Sequence, residues 1–122
     1  MTGVVNADLD SVIRLRVTGA SGVNETIDFV LDTGFSGGLS LPTAMIRRLG
    51  LPLSHETVVI LADGSEIKCD VYRGSVEWDG RPTLVAVYTT DGDALMGMQL
   101  LRGHRIIIDA LPGGRVTIAP LP

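Results

Sequence analysis

The sequence has 122 residues and a formal net charge of −4, and 45% of its residues are hydrophobic. A chain of this length buries about two-thirds of its unfolded surface around one core, so we expect a single domain over residues 1–122. The ten basic residues are scattered along the chain, which excludes the basic surface typical of proteins that bind nucleic acid or charged membranes.

The N-terminal residues MTGVVNADLD contain no basic stretch followed by an apolar core, which a secretory signal would require. No later segment approaches the ~20 apolar residues of a membrane span. We therefore expect a cytoplasmic protein without a membrane partner. The single cysteine, Cys69, excludes an internal disulfide and a cysteine-based zinc site.

Residues 13–17 alternate between apolar and polar side chains, a pattern that predicts a strand with one buried face. The glycine-rich stretch VTGASGV follows at residues 17–23 and looks like the turn of a dinucleotide-binding unit. Such a turn must open a helix, yet the next predicted strand starts at about Ile27 and leaves no room for one. We interpret residues 19–22 as a hairpin turn.

The run FVLDTGFSGG, at residues 29–38, places a carboxylate directly after three apolar residues. Because Phe29, Val30 and Leu31 are apolar on both faces, we expect Asp32 to lie at the end of a core strand. A buried charge without a partner is costly, so the carboxylate needs a partner unless it is partly exposed. Taken alone, this run also fits a plain turn, because aspartate caps turns and glycine supplies positive φ.

Two short segments predict helices. TAMIRRLG predicts a helix that begins after Pro42, carries arginines in its last turn and ends at Gly50. MQLLRG predicts a second, shorter helical turn. Fifteen glycines and six prolines divide the rest of the chain into short pieces, so we predict an all-β fold with one or two short helices.

Three further hairpins are predicted along the second half of the chain. Asp63-Gly64 and Asp79-Gly80 are dipeptides that tight hairpin turns favour. Pro112-Gly113-Gly114 separates the runs RIIID and RVTIA, which predicts the last hairpin. Residues 66–71 alternate as residues 13–17 do, so this strand is also expected to bury one face.

Residues 29–34 with Ser36, and Ala94-Leu95-Met96-Gly97 later in the chain, resemble the motifs of the single-domain retropepsin-like aspartic proteases. In that family the first motif carries the catalytic aspartate. The second is a hydrophobic pair plus glycine that lies behind the first and precedes a short helix, here Gln99-Leu100-Leu101. The resemblance spans most of the chain, from about Ile13 to Ala119, and implies a closed acid-protease-type β-barrel with one lobe per chain.

The resemblance also implies roles for particular residues. Asp32 is the implied catalytic residue, and the family's flap, a β-hairpin that folds over the substrate, is best matched by the hairpin at residues 62–64. The residues expected to support the catalytic loop are Thr33, Gly34, Ser36, Leu95, Met96 and Gly97. The residues expected to bind substrate are Gly34, Phe35, Ala62, Asp63 and Gly64.

The sequence departs from the family's pattern at three positions. Phe35 stands where many members have alanine, and Ser36 stands where retroviral members have an acidic residue. Met98 stands where retroviral members have an arginine. The acid and the base are both absent, which argues against the retroviral ion pair at this site.

Peptide hydrolysis by aspartic chemistry needs two carboxylates that share one proton, because like charges ~3 Å apart cannot both ionise. The chain has no second Asp-Thr-Gly or Asp-Ser-Gly, and Asp63, Asp79 and Asp91 precede glycine without an apolar run before them. We therefore expect the second carboxylate to be Asp32 of a second copy, in a homodimer with twofold symmetry.

We predict an aspartic endopeptidase that acts on peptide or protein substrates. The alternative is a catalytically silent protease-like module for peptide binding or dimerisation, and a metabolite-binding barrel is a weaker third. We expect no cofactor and no metal, because His55 and His104 are far apart and make no ligand pair. Cys69 is interpreted as a packed thiol and Trp78 as the cover of a hairpin.

Overall fold

The computed structural model describes all 122 residues, from Met1 to Pro122. Ten strands and two short helices form the molecule. The strands are β1 (Thr2–Val5), β2 (Ser11–Thr18), β3 (Asn24–Leu31), β4 (Leu39–Pro42), β5 (Leu53–Ile60), β6 (Glu66–Trp78), β7 (Arg81–Thr90), β8 (Leu95–Met96), β9 (His104–Ile108) and β10 (Arg115–Pro120), and the helices are α1 (Thr43–Leu49) and α2 (Met98–Leu101).

All ten strands belong to one sheet, in the order β5, β6, β7, β4, β8, β3, β2, β1, β10, β9. The long strand β6 also pairs with β2, through Val17 opposite Val76 and Thr18 opposite Ser75. This extra pairing closes β2, β3, β8, β4, β7 and β6 into a ring. The predicted all-β fold with a closed sheet and two short helices is confirmed.

The core is built from the inward faces of the ring strands, as the period-two pattern predicts. Ile13, Leu15 and Val17 are buried on β2 while the arginines between them are exposed. Phe29 on β3 is fully buried in the same cluster of 21 residues. The strand that leads to Asp32 is therefore anchored in the core.

The predicted turns and helices are confirmed. The glycine-rich stretch after β2 closes the β2–β3 hairpin, with Gly19 N–H donating to the Val23 carbonyl at 2.8 Å. Helix α1 ends at Gly50, whose φ of 63° is left-handed. Asp79 and Gly80 both have positive φ in the β6–β7 turn, as a type I′ hairpin requires. Neither helix is long and apolar enough to cross a membrane.

The β5–β6 hairpin differs from the sequence expectation. Residues 66–71 pair only with β5 over most of their length, and no other layer covers them. Ile67 is therefore 49% exposed instead of buried, and Cys69 is half-buried. Strand β3 begins at Asn24 rather than near Ile27. The four-residue strands β1 and β4 were not predicted, because so few residues show no periodicity.

Candidate active site

Asp32 directly follows β3 and is held by its backbone. Strand β8 lies parallel to β3, with Leu31 opposite Met96. The Val30 N–H donates to the Ala94 carbonyl at 2.8 Å, and the Asp32 N–H donates to the Met96 carbonyl at 2.9 Å. The end of a core strand and a neighbouring strand therefore fix the position of this carboxylate together.

The Asp32 carboxylate has one hydrogen bond within the chain. Its Oδ1 accepts the Gly34 N–H at 2.9 Å, which fixes the side chain against its own loop. A Cβ on Gly34 would lie 3.2 Å from this oxygen, so glycine suits the close approach. Asp32 is only half-buried in the single chain, while Thr33 and Ser36 are exposed. The loop therefore presents its polar groups at the surface, where a second molecule can reach them.

The two sequence motifs meet in the fold. Strand β8 runs between β3 and β4, antiparallel to β4 with Ser40 opposite Leu95. The Gly97 N–H donates to the Gly38 carbonyl, and the Met98 N–H donates to the Phe35 carbonyl, both at 2.8 Å. A Cβ on Gly97 would collide with the Gly37 carbonyl oxygen. Residues 95–97 thus brace the loop that carries Asp32.

Phe35 is held on the inner side of the same loop. Its ring is half-buried and contacts Tyr88 edge-on, with ring centroids 5.6 Å apart at 86°. Both rings lie so close to Gly37 that a Cβ there would need them to move. Contact between Phe35 and a substrate stays a prediction.

Sequence reasoning missed two residues that support this loop. Tyr88 on β7 contacts Phe35. Ser40 is buried, and its Oγ accepts the Leu95 N–H at 3.2 Å, which ties β4 to β8. Neither residue lies in a motif. The one signal in the sequence was the pair Gly37-Gly38 before β4, because glycine allows backbones and rings to approach closely.

The β5–β6 turn carries the residues predicted for the flap. Ala62, Asp63 and Gly64 are exposed at its tip, and Gly64 has a φ of 83°. Asp63 Oδ1 accepts hydrogen bonds from the Ser65 hydroxyl at 2.6 Å and from the Ser65 N–H at 2.9 Å. These bonds lower the pKa of Asp63 below its ordinary value. The tip is therefore a defined turn at the end of a projecting hairpin.

A second polar cluster lies at the start of β9, beside the cavity that Ser36 and Met98 also line. His104 Nε2 is 2.7 Å from Asp79 Oδ2, and its Nδ1 is 3.0 Å from the Arg102 carbonyl oxygen. The imidazole also packs edge-on against Trp78, which is buried under the β6–β7 turn. No group of three or more histidine, cysteine, aspartate or glutamate side chains is arranged to hold a metal ion.

No protein-family model matches the sequence, and no curated protein matches it. Solved structures of two proteases are among those that share its fold. A retropepsin-like aspartic protease from Rickettsia conorii superposes with a TM-score of 0.59 and 22% identity, over 98% of this chain and 90% of that one. EIAV protease complexed with an inhibitor superposes with a TM-score of 0.55 and 16% identity, over 80% of this chain and 89% of that one. The chain therefore has a retropepsin-like fold, as the motif resemblance predicts.

Proposed function

We propose that the protein is an aspartic endopeptidase whose active site contains Asp32 from each chain of a homodimer. The observation that carries this proposal is the placement of Asp32. Its backbone is fixed by β8 and its Oδ1 by the Gly34 N–H, yet the carboxylate stays half-exposed at the surface. The fold shared with two aspartic proteases supports the same chemistry. Residues 1–122, with one sheet and one main core, then form a single protease domain.

The proposed reaction uses one proton shared between two carboxylates. One Asp32 is ionised and removes a proton from a water molecule, which attacks the peptide carbonyl carbon. The other Asp32 is protonated and donates a hydrogen bond to the carbonyl oxygen as negative charge develops there. Transfer of a proton to the peptide nitrogen then releases the amine, and the C–N bond breaks. The Gly34 N–H steadies the carboxylate through Oδ1.

We propose an extended peptide as the substrate. It would bind between the β5–β6 hairpin and the loop of residues 32–38 that connects β3 to β4, called the Asp32 loop below. Gly34 and Phe35 lie beside Asp32 in the chain and would face the peptide near the scissile bond. The backbone of Ala62, Asp63 and Gly64 would pair with the peptide as an added strand. The hairpin suits this role because its apolar side chains, including Val59 and Ile67, are exposed in the single chain.

Replacement of Asp32 by asparagine tests the proposal. Asparagine matches aspartate in shape but cannot cycle a proton, so Asp32→Asn should abolish cleavage of an unfolded protein substrate while the fold is retained. Asp91→Asn is the matched control, because Asp91 is exposed, forms no ion pair and lies outside the site. Cleavage that persists in pure Asp32→Asn protein would rule out the aspartic mechanism.

The catalytically silent alternative makes a different prediction for the unmodified chain. A peptide-binding or dimerisation module would bind unfolded proteins without cleaving them at any pH from acid to neutral. We also propose a cytoplasmic location, which agrees with a single cysteine that forms no disulfide. Cell fractionation tests the location independently of the activity.

A further inference from the structure

A cavity of about 600 Å³ lies beside the Asp32 loop. Its lining includes Ser36 of that loop, Met98 and Gln99 of α2, Tyr88 of β7 and Ile106 of β9. Ser36, Met98 and Gln99 are exposed, whereas Tyr88 and Ile106 are half-buried. The cavity is therefore open to solvent next to the loop that presents the Asp32 carboxylate.

The charged residues of the lining are both basic. Arg102 and His104 line the cavity, and no aspartate or glutamate does. His104 Nε2 is 2.7 Å from Asp79 Oδ2, so its charge is already paired with a residue outside the lining. Arg102 forms no ion pair within the chain, although the net charge of the chain is −4. Its guanidinium is therefore the charge in the cavity that is left for a ligand.

The backbone of Arg102 is held in place on both sides of the residue. Helix α2 ends there, and the Arg102 carbonyl oxygen is 3.0 Å from His104 Nδ1. The imidazole in turn packs edge-on against Trp78. The carbonyl of Gly103 accepts the Leu121 N–H at 2.9 Å. Arg102 is thus fixed at the cavity by its backbone, while its exposed side chain can turn towards a ligand.

The groups around Arg102 suit a carboxylate on a short apolar stem. A guanidinium donates two parallel hydrogen bonds to a carboxylate. The Ser36 hydroxyl and the Gln99 amide line the same cavity and can donate further hydrogen bonds. Tyr88 and Ile106 offer apolar surface to the methylene groups that precede the carboxylate. An aspartate or glutamate side chain combines these two parts.

The cavity is within reach of a peptide that lies across Asp32. Ser36 follows Asp32 by four residues. Their Cα atoms are therefore at most ~14 Å apart, the span of a fully extended chain of that length. An extended peptide advances ~3.3 Å per residue. A side chain up to about four residues from the scissile bond can thus enter the cavity.

We propose that this cavity is a substrate subsite in which Arg102 binds the carboxylate of an aspartate or glutamate side chain, up to about four residues from the scissile bond. The proposal rests on the proposed function and narrows its substrates to peptides with an acidic residue near the cleavage site. A homodimer carries the cavity twice, related by its twofold axis. A peptide with an acidic residue on each side of the scissile bond would therefore engage both copies.

Matched peptides test the subsite. The starting peptide is a segment of an unfolded protein that the enzyme cleaves, with both ends blocked so that no terminal carboxylate is present. Glutamate, glutamine or lysine is placed in turn at the positions around the scissile bond. At one position or more, glutamate should give a kcat/KM about fivefold above that of glutamine at low salt. High salt should shrink this preference, because the guanidinium is exposed.

Variants of Arg102 test the residue itself. Arg102→Gln should reduce the preference for glutamate over glutamine to less than about twofold. Arg102→Glu should invert it in favour of lysine, because the charge in the cavity is reversed. Arg47→Gln is the control, because Arg47 is exposed on α1, forms no ion pair and does not line this cavity. Circular dichroism checks the fold of each variant.

Binding separates this proposal from the proposed function. Asp32→Asn keeps Arg102 and the cavity, so fluorescence anisotropy of labelled peptides in that background measures binding without cleavage. Tighter binding of the glutamate peptide than of its glutamine twin, lost when Arg102→Gln is added, keeps the subsite even if the unmodified chain cleaves nothing. The peptidase alone then fails.

Three results would overturn the subsite and keep the peptidase. The first is cleavage at equal rates for the glutamate and glutamine peptides at every position. The second is a preference for glutamate that Arg102→Gln leaves intact. The third is a preference that appears only when the C-terminus is free, which would assign the cavity to a terminal carboxylate. Equal binding of both peptides by a chain that cleaves neither would overturn both proposals.

Discussion

At Gly97 the backbone of one loop touches the backbone of another. A Cβ at this position would collide with the Gly37 carbonyl oxygen and with Phe35, both in the loop that carries Asp32. The Gly97 N–H also donates to Gly38 at 2.8 Å, so the residue cannot move away without loss of that bond. Gly97 therefore sets how closely the bracing segment approaches the Asp32 loop.

Gly97→Ala should lower the free energy of unfolding by about 1–3 kcal/mol, the usual cost of an extra methyl group in a packed site. It should also reduce the catalytic rate, because the Asp32 loop has to shift. Gly92→Ala is the control, since the nearest atom to its Cβ would be Thr90 Oγ1 at 3.8 Å and its φ is not positive. Urea unfolding measures both variants. Equal loss in the two would contradict the close-packing argument.

His104 is surrounded by groups that favour its charged form. Burial alone lowers the pKa of the imidazole, but the bond to the Asp79 carboxylate, the bond to the Arg102 carbonyl and the negative charge of Asp79 outweigh it, so the pKa of His104 is raised above 6.5. Both ring nitrogens face oxygen acceptors, which only the imidazolium satisfies with two N–H groups. The contact joins β9 to the β6–β7 turn.

This arrangement predicts stability that depends on pH. Because the pKa of His104 is higher in the folded state, its contribution is complete below the unfolded value of 6.5 and is lost as pH rises through the folded pKa. His104→Gln should therefore flatten the fall in unfolding free energy above about pH 6.5 in urea titrations. His55→Gln is the control, because His55 is exposed and bonds only Ser54. An unchanged slope in His104→Gln would refute the link.

At the scale of elements, the β5–β6 hairpin has two different faces. Paired residues of a hairpin share a face, so Val59 and Ile67 lie on the face that continues to buried Val71. Val58 and Lys68 lie on the opposite face. The first face leads into the core at Val71, so a peptide held under the hairpin would contact Ile67 rather than Val58.

Ile67→Ser should reduce kcat/KM about fivefold, since partial loss of an isoleucine contact costs about 1 kcal/mol. Val58→Ser should leave kcat/KM within about twofold, although Val58 is just as exposed, at 52% against 49% for Ile67. Steady-state cleavage of one peptide by both variants gives the comparison. Equal effects on the two faces would mean that the hairpin does not cover the substrate.

The elements also show how far local sequence reasoning reached. Asp79-Gly80 and the alternation over residues 13–17 predict a turn and a strand correctly, because turn geometry and period two are local properties. The exposure of Ile67 was missed, because alternation shows that one face is apolar but not what covers it. The contacts of Tyr88 with Phe35 and of His104 with Asp79 were missed too, because they depend on strand order.

The candidate site was likewise predicted in its local part and not in the part that depends on strand order. The motif at residues 29–34 identified the loop, and its backbone bonds to residues 94–98 follow from β8 running between β3 and β4. The position of β8 between β3 and β4 brings together segments that are distant in the chain. The periodicity of the sequence does not predict which distant strands pair. Asp32 is half-exposed rather than buried in one chain, which agrees with a carboxylate whose partner is supplied by another molecule.

At the scale of the whole molecule, a site shared between two chains means that only a dimer with both Asp32 carboxylates should be active. A dimer of one unmodified chain and one Asp32→Ala chain would contain a single carboxylate and should be inactive. Twofold assembly pairs any two chains, so random exchange of equal amounts leaves about one quarter of the dimers with both carboxylates. Activity per unmodified chain should then fall to roughly half, and further as the mutant fraction rises.

The experiment measures the initial rate of peptide cleavage against mutant fraction, after incubation that allows subunit exchange. Mixing with Asp91→Asn is the control, because that chain keeps Asp32 and the rate should follow the total chain concentration. Dilution below the dimer dissociation constant should also remove activity faster than the protein concentration falls, since the site disappears with the dimer. A monomer with a complete site predicts neither effect. A rate that follows only the concentration of unmodified chain, at every mutant fraction, would show that Asp32 acts without its copy.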